Sequence, residues 1–423
     1  MCAAACAFGA GPAAAGAATV TLAAAGDIAC EPSLSTTATE CHQAQTAQLI
    51  QSLAPTAVAP LGDNQYQVGA LADYRAVFAP SWGQLTSPLH PVPGNHEYNT
   101  PGATGYFSFF GPAVAGDPTK GYYSYDLGDW HLLALNANCN FVPCRAGSAQ
   151  ERFVRADLAA HRGCTLAYWH QPRFASAGNL TDMLDIWRAL DDYRNDIVLS
   201  GHIHRYERFA PQNAFGVADP LRGSREFIVG TGGKNLRRPG NPPAANTELI
   251  EARSFGALLL TLKPGGYDWR FVSQNTTFTD SGSTACHDKV APSFRSLSLR
   301  PRTFRSAARG ASLARATGAT LRFNLTEAAA MRFAIERALA GRRVGRSCVA
   351  PKRSNRSRPA CTRFVTLAGS FGAQGKRGSN RLRFTGRLNG RRLALGGYRL
   401  ALVPTDAAQN SGAPARIGFT IAR

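Results

Sequence analysis

Side chains that bind metal ions come directly after five short apolar runs of the chain. Asp27 follows the first run, and Asp63 and Tyr66 follow the second. The later runs supply the other candidates, which are Asn95, His96, His170, His202 and His204. A shared carboxylate can hold two cations about 3.5 to 4 Å apart and offset their repulsion. Because the set contains oxygen and nitrogen donors in the number that two ions need, the sequence predicts a dinuclear metal site with Asp63 as the bridge.

The apolar runs before these side chains have the length and composition of buried strands. Residues 57–61 form one such run, and Gly62 after it lets the backbone turn so that Asp63 emerges. Helical patterns at 41–53, 148–160 and 181–193 separate the runs, which indicates β-α-β units. Ligands collect at the carboxyl ends of strands in such sheets. The run at 87–93 contains three prolines, which disfavour a regular central strand.

Five short motifs carry a resemblance to a known family. They are Gly26-Asp27-Ile28-Ala29, Gly62-Asp63-Asn64-Gln65-Tyr66, Gly94-Asn95-His96-Glu97, Ala167-Tyr168-Trp169-His170 and Gly201-His202-Ile203-His204-Arg205-Tyr206-Glu207-Arg208. Each motif alone is a weak signal, because a Gly-Asp pair after a strand is commonly just a turn. The five motifs together occur in the family's order over roughly residues 20 to 288. In this respect the chain resembles the calcineurin-like metallophosphoesterases and, within them, the purple acid phosphatases. The resemblance implies an α/β (α+β) fold, a four-layer αββα metallophosphatase sandwich.

The resemblance also implies which side chains hold each metal ion. The first ion would be bound by Asp27, Asp63, Tyr66 and His204, and the second by Asp63, Asn95, His170 and His202. Relatives outside the purple group place a His two positions after the first Asp, where this chain has Ala29, and Tyr66 would fill that position. A phenolate is a hard, anionic donor. Iron is therefore expected at the first site, and zinc, iron or manganese at the second.

The reaction implied by the resemblance is hydrolysis of phosphomonoesters by a metal-bound hydroxide that attacks phosphorus in line. His96 would contact the phosphate and protonate the leaving oxygen, and Glu97 would orient His96. The predicted catalytic residues are thus His96, Asp63 and Glu97. Two alternatives stay open: a phosphodiesterase that uses the same site, and a non-catalytic protein that binds polyanions or the cell wall.

Composition and cysteine spacing indicate an exported globular protein. Hydrophobic residues make up 44% of the 423 residues and charged residues 17%, which excludes a disordered chain and a multi-span membrane protein. Residues 1–17 are interpreted as a signal-peptide remnant or a mis-set start, since they lack a basic segment. Cysteines that lie close together in sequence favour disulfides and therefore export. Cys164 and Cys286 are paired with each other because they remain after the close pairs. The close pairs are Cys30 with Cys41, Cys139 with Cys144, and Cys348 with Cys361.

Charge divides the chain into an acidic body and a basic second domain. Residues 290–423 hold 27 Lys and Arg against 3 Asp and Glu, a net charge of +24, whereas the rest of the chain sums to −4. We therefore predict a metallophosphoesterase domain at 18–289 and a basic domain at 290–423. Short apolar runs between turns predict an all-β, Ig-like sandwich for the second domain.

The basic domain has two interpretations of equal weight. Its charge would attract anionic cell-wall polymer, nucleic acid or a membrane surface. Its 25 Arg against 2 Lys are also what a GC-rich coding sequence produces. Specific nucleic-acid recognition is not expected, because the sequence has no helix-turn-helix or zinc signal.

Two further patterns are interpreted as structural. His131 lies within an alternating hairpin at 122–138 and is expected to pack in the core. The glycine turn at 230–233 is expected to be a backbone crossing, because it lacks the Lys-Ser/Thr that follows in a phosphate-binding loop.

Overall fold

The computed structural model describes residues 19–423 except 177, 179–181, 240–241 and 315–317. The chain forms two compact units, Met1–His287 and Asp288–Arg423. The division falls two residues before the start that the charge pattern predicts for the basic domain. The predicted signal-peptide remnant at 1–17 lies outside the described residues. No helix in the described ranges is both long and apolar enough to cross a membrane.

The first unit contains twelve strands within its described residues. They are β1 (Val20–Ala25), β2 (Ala57–Pro60), β3 (Tyr123–Leu127), β4 (Trp130–Ala134), β5 (Thr165–Tyr168), β6 (Ile197–Ser200), β7 (Tyr206–Phe209), β8 (Arg225–Val229), β9 (Thr247–Glu251), β10 (Gly256–Lys263), β11 (Gly266–Ser273) and β12 (Thr279–Ala285). The α-helices are α1 (Gln43–Leu53), α2 (Leu71–Asp73), α3 (Thr104–Phe110), α4 (Pro112–Ala115), α5 (Ala149–Ala160) and α6 (Leu184–Asp192). A π-helical turn spans Tyr74–Phe78, and 3₁₀ turns span Trp82–Gln84, Glu97–Asn99 and Pro101–Ala103.

The strands of the first unit form two sheets with a shared core between them. One sheet has the order β12-β11-β10-β1-β2, and the other has the order β3-β4-β5-β6-β8-β7-β9. Leu22 and Leu258 of the first sheet share a cluster of buried residues with Leu166 and Leu199 of the second. The other face of the second sheet packs against α5 and α6, where Val198 joins a separate buried cluster. The predicted four-layer αββα architecture of the α/β class is confirmed.

The parallel strands deliver the predicted site residues to one edge of each sheet. β1 pairs with β2, and β4, β5 and β6 pair in sequence, all in parallel. Every residue of β2, β5 and β6 is buried and most of them are apolar, as expected of parallel strands that are covered on both faces. Helix α5 begins where the Ser148 side chain accepts a hydrogen bond from the backbone N–H of Glu151, which caps the first turn.

The proline-rich run at 87–93 forms no regular strand. It makes one isolated bridge to β2, between Val58 and Leu89. Proline has no backbone N–H, so a continuous ladder is impossible. His90 and Val92 still donate to the carbonyls of Val58 and Pro60, at 2.8 and 3.1 Å. The extended run therefore lies beside β2 and delivers the Asn95 motif as a strand would.

The glycine turn at 230–233 is the predicted crossing of the backbone. A Cβ on Gly230 would come within 2.3 Å of the carbonyl oxygen of Ile203, and one on Gly232 within 2.5 Å of that of Gly26. His131 is buried as expected. Its ring nitrogens contact the carboxylates of Asp126 and Asp157 rather than apolar side chains.

The four predicted disulfides are confirmed, and every cysteine in the described ranges is paired. The bridges are Cys30–Cys41, Cys139–Cys144, Cys164–Cys286 and Cys348–Cys361. The Cys164–Cys286 bridge ties the start of β5 to the end of the first unit.

The second unit is built from strands and one 3₁₀ turn, Arg353–Asn355, within its described residues. Its strands are β13 (Phe294–Arg300), β14 (Thr303–Phe304), β15 (Leu313–Ala314), β16 (Ala319–Leu325), β17 (Ala329–Val344), β18 (Ser347–Val349), β19 (Ala360–Thr366), β20 (Phe371–Gly375), β21 (Gly378–Phe384), β22 (Arg387–Leu388), β23 (Arg391–Arg392), β24 (Gly396–Thr405) and β25 (Ala415–Ile421). A four-stranded and a seven-stranded sheet share one buried cluster that includes Leu321 and Leu400. A β-rich second region consistent with a sandwich is thereby confirmed, whereas its Ig-like class stays a prediction.

Candidate dinuclear metal centre

Asp27 and Asp63 occupy matched positions after β1 and β2. Both have left-handed backbone conformations, with φ of 60° and 46°. The two turns run side by side, and the Asp27 N–H donates to the Gly62 carbonyl at 3.1 Å. A Cβ on Gly94 would come within 2.1 Å of Asp63 Oδ1. Glycine is therefore required at position 94 for the Asn95 loop to approach this carboxylate.

Each carboxylate has one oxygen held by a backbone N–H and the other turned toward the cluster. Asp27 Oδ2 accepts from the N–H of His202 at 2.7 Å, and Asp63 Oδ1 accepts from that of His96 at 2.9 Å. The free oxygens are Asp27 Oδ1 and Asp63 Oδ2. Both accept hydrogen bonds from the hydroxyl of Tyr66, at 2.8 and 3.1 Å.

The first donor group consists of Asp27, Asp63, Tyr66 and His204. His204 Nε2 lies 3.1 Å from both the Tyr66 hydroxyl and Asp27 Oδ1. Metal–ligand bonds of about 2.0 to 2.2 Å place neighbouring donor atoms of one coordination sphere about 3 Å apart. The spacing in this group is therefore that of ligands around one ion.

The second predicted donor group is Asp63, Asn95, His170 and His202, of which the structure brings Asp63, His170 and His202 together. His170 Nε2 lies 3.1 Å from Asp63 Oδ2, and ligand atoms of Asp63, His170 and His202 all lie within 4.8 Å of one another. The same carboxylate oxygen, Asp63 Oδ2, thus faces both groups. The buried atom Asn95 Oδ1 has no hydrogen-bond partner among the described residues. A buried polar atom without a partner is costly, and a metal ion would satisfy it.

Hydrogen bonds at the far ring nitrogens orient two of the imidazoles. His170 Nδ1 donates to the Leu61 carbonyl at 2.8 Å, and His204 Nδ1 donates to the side-chain oxygen of Asn235. Each contact keeps the proton of the neutral ring on Nδ1 and directs Nε2 at the donor groups, the tautomer that metal ligation requires.

Protonation in the metal-free protein follows from these contacts. Burial raises the pKa of Asp63, but His170 and His96 together hold it well below its usual range. Burial lowers the pKa of His170, but the Asp63 carboxylate raises it to about 9. Burial and then the neighbouring His170 lower the pKa of His202 to about 4. Burial and the two carboxylates place the pKa of Tyr66 well above 10. Protons therefore occupy the positions where cations would bind, and the residues present fit a pair of metal ions.

His96 lies beside this cluster and remains partly open to solvent. Its Nδ1 donates to the Gln67 carbonyl at 2.6 Å, which leaves Nε2, 3.7 Å from Asp63 Oδ2, toward the cluster. Its side chain is 21% exposed, and its ring packs against that of Tyr66 at 4.3 Å. An incoming substrate can therefore reach Nε2.

The Glu97 carboxylate is directed to backbone N–H groups rather than to the His96 ring, and the predicted catalytic role of Glu97 stays a prediction. Its carboxylate is fully buried and accepts backbone N–H groups of residues 63, 64, 65 and 94 at 2.6 to 3.2 Å. It also accepts the Tyr74 hydroxyl at 2.9 Å. Motif adjacency suggested contact with His96, but the 3₁₀ turn at Glu97–Asn99 directs this side chain inward. Glu97 fixes the loop that carries Asp63.

Sequence reasoning missed Asn235 and Lys234. Asn235 sets the His204 tautomer, and Lys234 pairs with Glu31 at 2.6 Å while its Nζ lies 5.4 Å from the centroid of the Tyr66 ring. Both residues directly follow the glycine crossing, which packs against the Asp27 turn. The glycine crossing was the sequence signal that could have identified them. A segment that crosses the Asp27 turn places the residues after it next to the candidate metal ligands.

Comparison with known proteins agrees with this geometry. Residues 21–206 match the family model described as calcineurin-like phosphoesterase. Purple acid phosphatase 15 of Arabidopsis thaliana is 28% identical over 173 residues, which is 36% of this chain and 32% of the relative. Probable inactive purple acid phosphatase 9 of the same plant is 28% identical over 174 residues, which is 37% of this chain and 25% of the relative. The chain thus spans a third or less of the length of these two curated relatives.

A solved structure shares the fold. A purple acid phosphatase from yellow lupin seeds (Lupinus luteus) superposes with a TM-score of 0.56 at 19% identity, covering 64% of this chain and 54% of the lupin chain. Residues 21–206 of the first unit are therefore similar to calcineurin-like phosphoesterases, and the predicted resemblance to the purple acid phosphatases is confirmed.

Proposed function

We propose that the protein hydrolyses phosphomonoesters at a dinuclear metal centre. The observation that supports this most strongly is the position of Asp63 Oδ2, which lies 3.1 Å from the Tyr66 hydroxyl of one donor group and 3.1 Å from His170 Nε2 of the other. An oxygen shared in this way is the bridge that two neighbouring cations need. All seven candidate ligands are present, although one relative is named as probably inactive.

The first ion would be held by Asp27, Asp63, Tyr66 and His204, and the second by Asp63, Asn95, His170 and His202. Two such ions, when bound, supply Lewis acidity toward phosphoryl oxygens and lower the pKa of a water molecule. The chain's own contribution is to fix the ligands before the ions arrive. The backbone N–H groups of His96 and His202 each hold one carboxylate oxygen, so that the other oxygen is pre-positioned.

His96 is proposed to bind the phosphoryl group and to protonate the leaving oxygen. Its Nδ1–H is held by the Gln67 carbonyl, so the ring cannot turn away, and Nε2 is the atom that substrate reaches. A protonated Nε2 can donate to the leaving oxygen as the ester bond breaks. His96→Ala should slow turnover of an ester with a poor leaving group more than turnover of an aryl ester, with metal content unchanged.

Iron is proposed at the first donor group. Tyr66 supplies a phenol in contact with two carboxylates and an imidazole, a set of hard donors that suits a ferric ion. The iron-loaded protein should absorb visible light through charge transfer from the phenolate, and Tyr66→Phe should abolish that absorption. Zinc, iron or manganese would occupy the second group. An iron-loaded protein without this absorption would contradict the assignment.

The function is tested by the turnover of an aryl phosphomonoester and the matching diester. We expect the monoester to be preferred and Asp63→Asn to lower its turnover by roughly 10³-fold or more, because both ions lose their common ligand. Asp117→Asn is the matched control, since Asp117 is an exposed carboxylate whose partners among the described residues are Thr119 and Lys120 of its own turn. Its activity should equal that of the wild type.

Each other outcome of this assay contradicts the proposal. A preference for the diester would make the protein a phosphodiesterase. Absence of turnover of both esters, with metal ions bound, would leave a non-catalytic binding protein.

Export is proposed from the disulfides. Eight cysteines form four bridges in the described residues, and such bridges persist in oxidising compartments. Free-thiol titration of the protein as isolated from its native source should find none of these eight cysteines reduced. Reduced bridges would contradict export.

A further inference from the structure

The four-stranded sheet of the second unit carries a grid of arginine and small polar residues on one face. The register of β13, β16 and β21 aligns three rows across the strands. The rows are Arg300–Thr320–Arg383, Ser298–Arg322–Arg381 and Ser296–Asn324–Ser379. We call these nine residues the arginine face.

Alternation along the strands places this face opposite the core. Leu299 and Leu321, which lie between the rows, are buried in the cluster of the second unit. Arg300, Arg322 and Arg381 are exposed, and Arg383 is half-buried. Residues two apart on a strand lie about 6.6 to 6.8 Å apart, and neighbouring strands about 4.8 Å apart. The backbone positions of the four arginines therefore lie within a patch about 10 Å wide and 7 Å long.

No carboxylate of the described residues forms an ion pair with these four arginines. Residues 288–423 contain only four acidic residues, Asp288, Glu327, Glu336 and Asp406. Glu336 lies on β17 and pairs with Arg399 and Arg416. The other three carboxylates lie within 4.8 Å of one another. The positive charge of the arginine face is thus left to solvent or to a ligand.

Arg322 and Arg381 are directly opposite each other on neighbouring strands. Like charges in such a pair are destabilising. Codon bias alone would scatter arginines without regard to register, whereas the serines, threonine and asparagine between these arginines add hydrogen-bond donors that suit phosphate oxygens. The arrangement is that of a surface for an anionic ligand.

We propose that the arginine face binds a linear polyol-phosphate polymer, a chain of phosphodiester groups without bases. Its charge complements the uncompensated arginines, and its flexible backbone can follow a short, nearly flat patch. None of the nine residues is aromatic, so bases would find no stacking partner. The absence of stacking partners favours a base-free polymer over nucleic acid.

The test measures binding of full-length protein to fluorescently labelled poly(glycerol phosphate) by anisotropy over a salt series. The double variant Arg322→Gln with Arg381→Gln should lose roughly 50-fold in affinity at 0.1 M salt and about two units of salt slope. The matched control is Arg332→Gln with Arg346→Gln, which removes the same charge from exposed positions on and next to β17 of the other sheet. The control should change affinity by less than about threefold, because net charge alone acts weakly at this salt.

Three outcomes would overturn the proposal. Wild-type protein that ignores the polymer even at low salt has no such surface. Equal losses in the two double variants would show that net charge, and not the arginine face, attracts the polymer. Tighter binding of a DNA duplex of equal charge, lost in the same variant, would assign the face to nucleic acid. Monoester turnover by both variants should stay at the wild-type rate throughout, since neither touches the proposed metal ligands.

Discussion

The two units of this protein differ in the burial and in the partners of the charged side chains proposed to bind ligands. In the first unit, Asp27, Asp63 and Glu97 are buried, and each accepts backbone N–H groups that fix its position. In the second, Arg300, Arg322 and Arg381 are exposed, and no carboxylate of the described residues forms an ion pair with them. Buried charges need complete sets of partners because desolvation is costly, whereas exposed charges need none.

The difference indicates what each set of charges is suited to do. A charge held by several fixed partners sits at a defined position, which suits the ligation of metal ions. A charge on a long, unpaired side chain is adaptable but weakly positioned, which suits attraction of a flexible polyanion. Substitution should therefore affect stability in the first unit far more than in the second.

The largest effect is expected for Glu97→Gln in the first unit. An amide has one acceptor oxygen where the carboxylate has two, so several of the N–H groups around it lose their partner. We expect the free energy of unfolding to fall by about 3 kcal/mol. Urea unfolding followed by fluorescence measures this change.

The matched substitution in the second unit is Arg322→Gln. It removes repulsion from Arg381 across the strands, so unfolding free energy should stay within about 0.5 kcal/mol of the wild type or rise slightly. If both substitutions cost the same, the contrast between the two units is wrong.

A smaller effect is expected for Asn235→Ala. This substitution removes the acceptor that sets the His204 tautomer, so affinity for the first metal ion should fall about 10- to 100-fold. Competition with a chelator measures the affinity. Asn275→Ala is the control, since Asn275 is exposed and its side-chain hydrogen bonds in the described structure go to Arg253, Phe255 and Ser273, none of which is a candidate metal ligand. Unchanged affinity in Asn235→Ala would exclude the orienting role.

The smallest effect concerns His131, which bridges Asp126 on β3 and Asp157 on α5. Burial lowers the pKa of His131, but the two carboxylates raise it above the usual 6.5, and the ring of His161 stacks on that of His131. A raised folded pKa stabilises the fold fully below about pH 6.5. That contribution is lost as pH rises through the folded pKa.

Comparison of the wild type with His131→Gln tests this sign. The stability gap between them should be larger at pH 6 than at pH 9, measured by urea unfolding at each pH. A gap that is the same at both values would mean that His131 acts by packing alone, as its place in the alternating hairpin first indicated.

Much of the fold could be predicted from local patterns. The buried strands that end at Asp27, Asp63, His170 and His202 are short apolar runs followed by a turn, and parallel strands necessarily bring those ends together. Close spacing paired three of the four bridges, whereas Cys164–Cys286, whose cysteines are 122 positions apart in sequence, was paired as the remainder. The strand ends and the three close bridges depend on residues near one another in sequence, and so the sequence contains them.

What could not be predicted depends on contacts between distant segments. Glu97 is adjacent to His96 in sequence, but its carboxylate serves a loop more than 30 residues away. Asn235 reaches His204 only because the glycine crossing packs on the Asp27 turn. The arginine face requires the register of three strands, which composition does not specify.

The central claim is that two metal ions share Asp63, and metal stoichiometry at saturation tests it most directly. The account predicts two ions per chain in the wild type and loss of tight binding at both positions in Asp63→Asn. A wild type that binds a single ion, or an Asp63→Asn variant that still binds two with unchanged affinity, would contradict it.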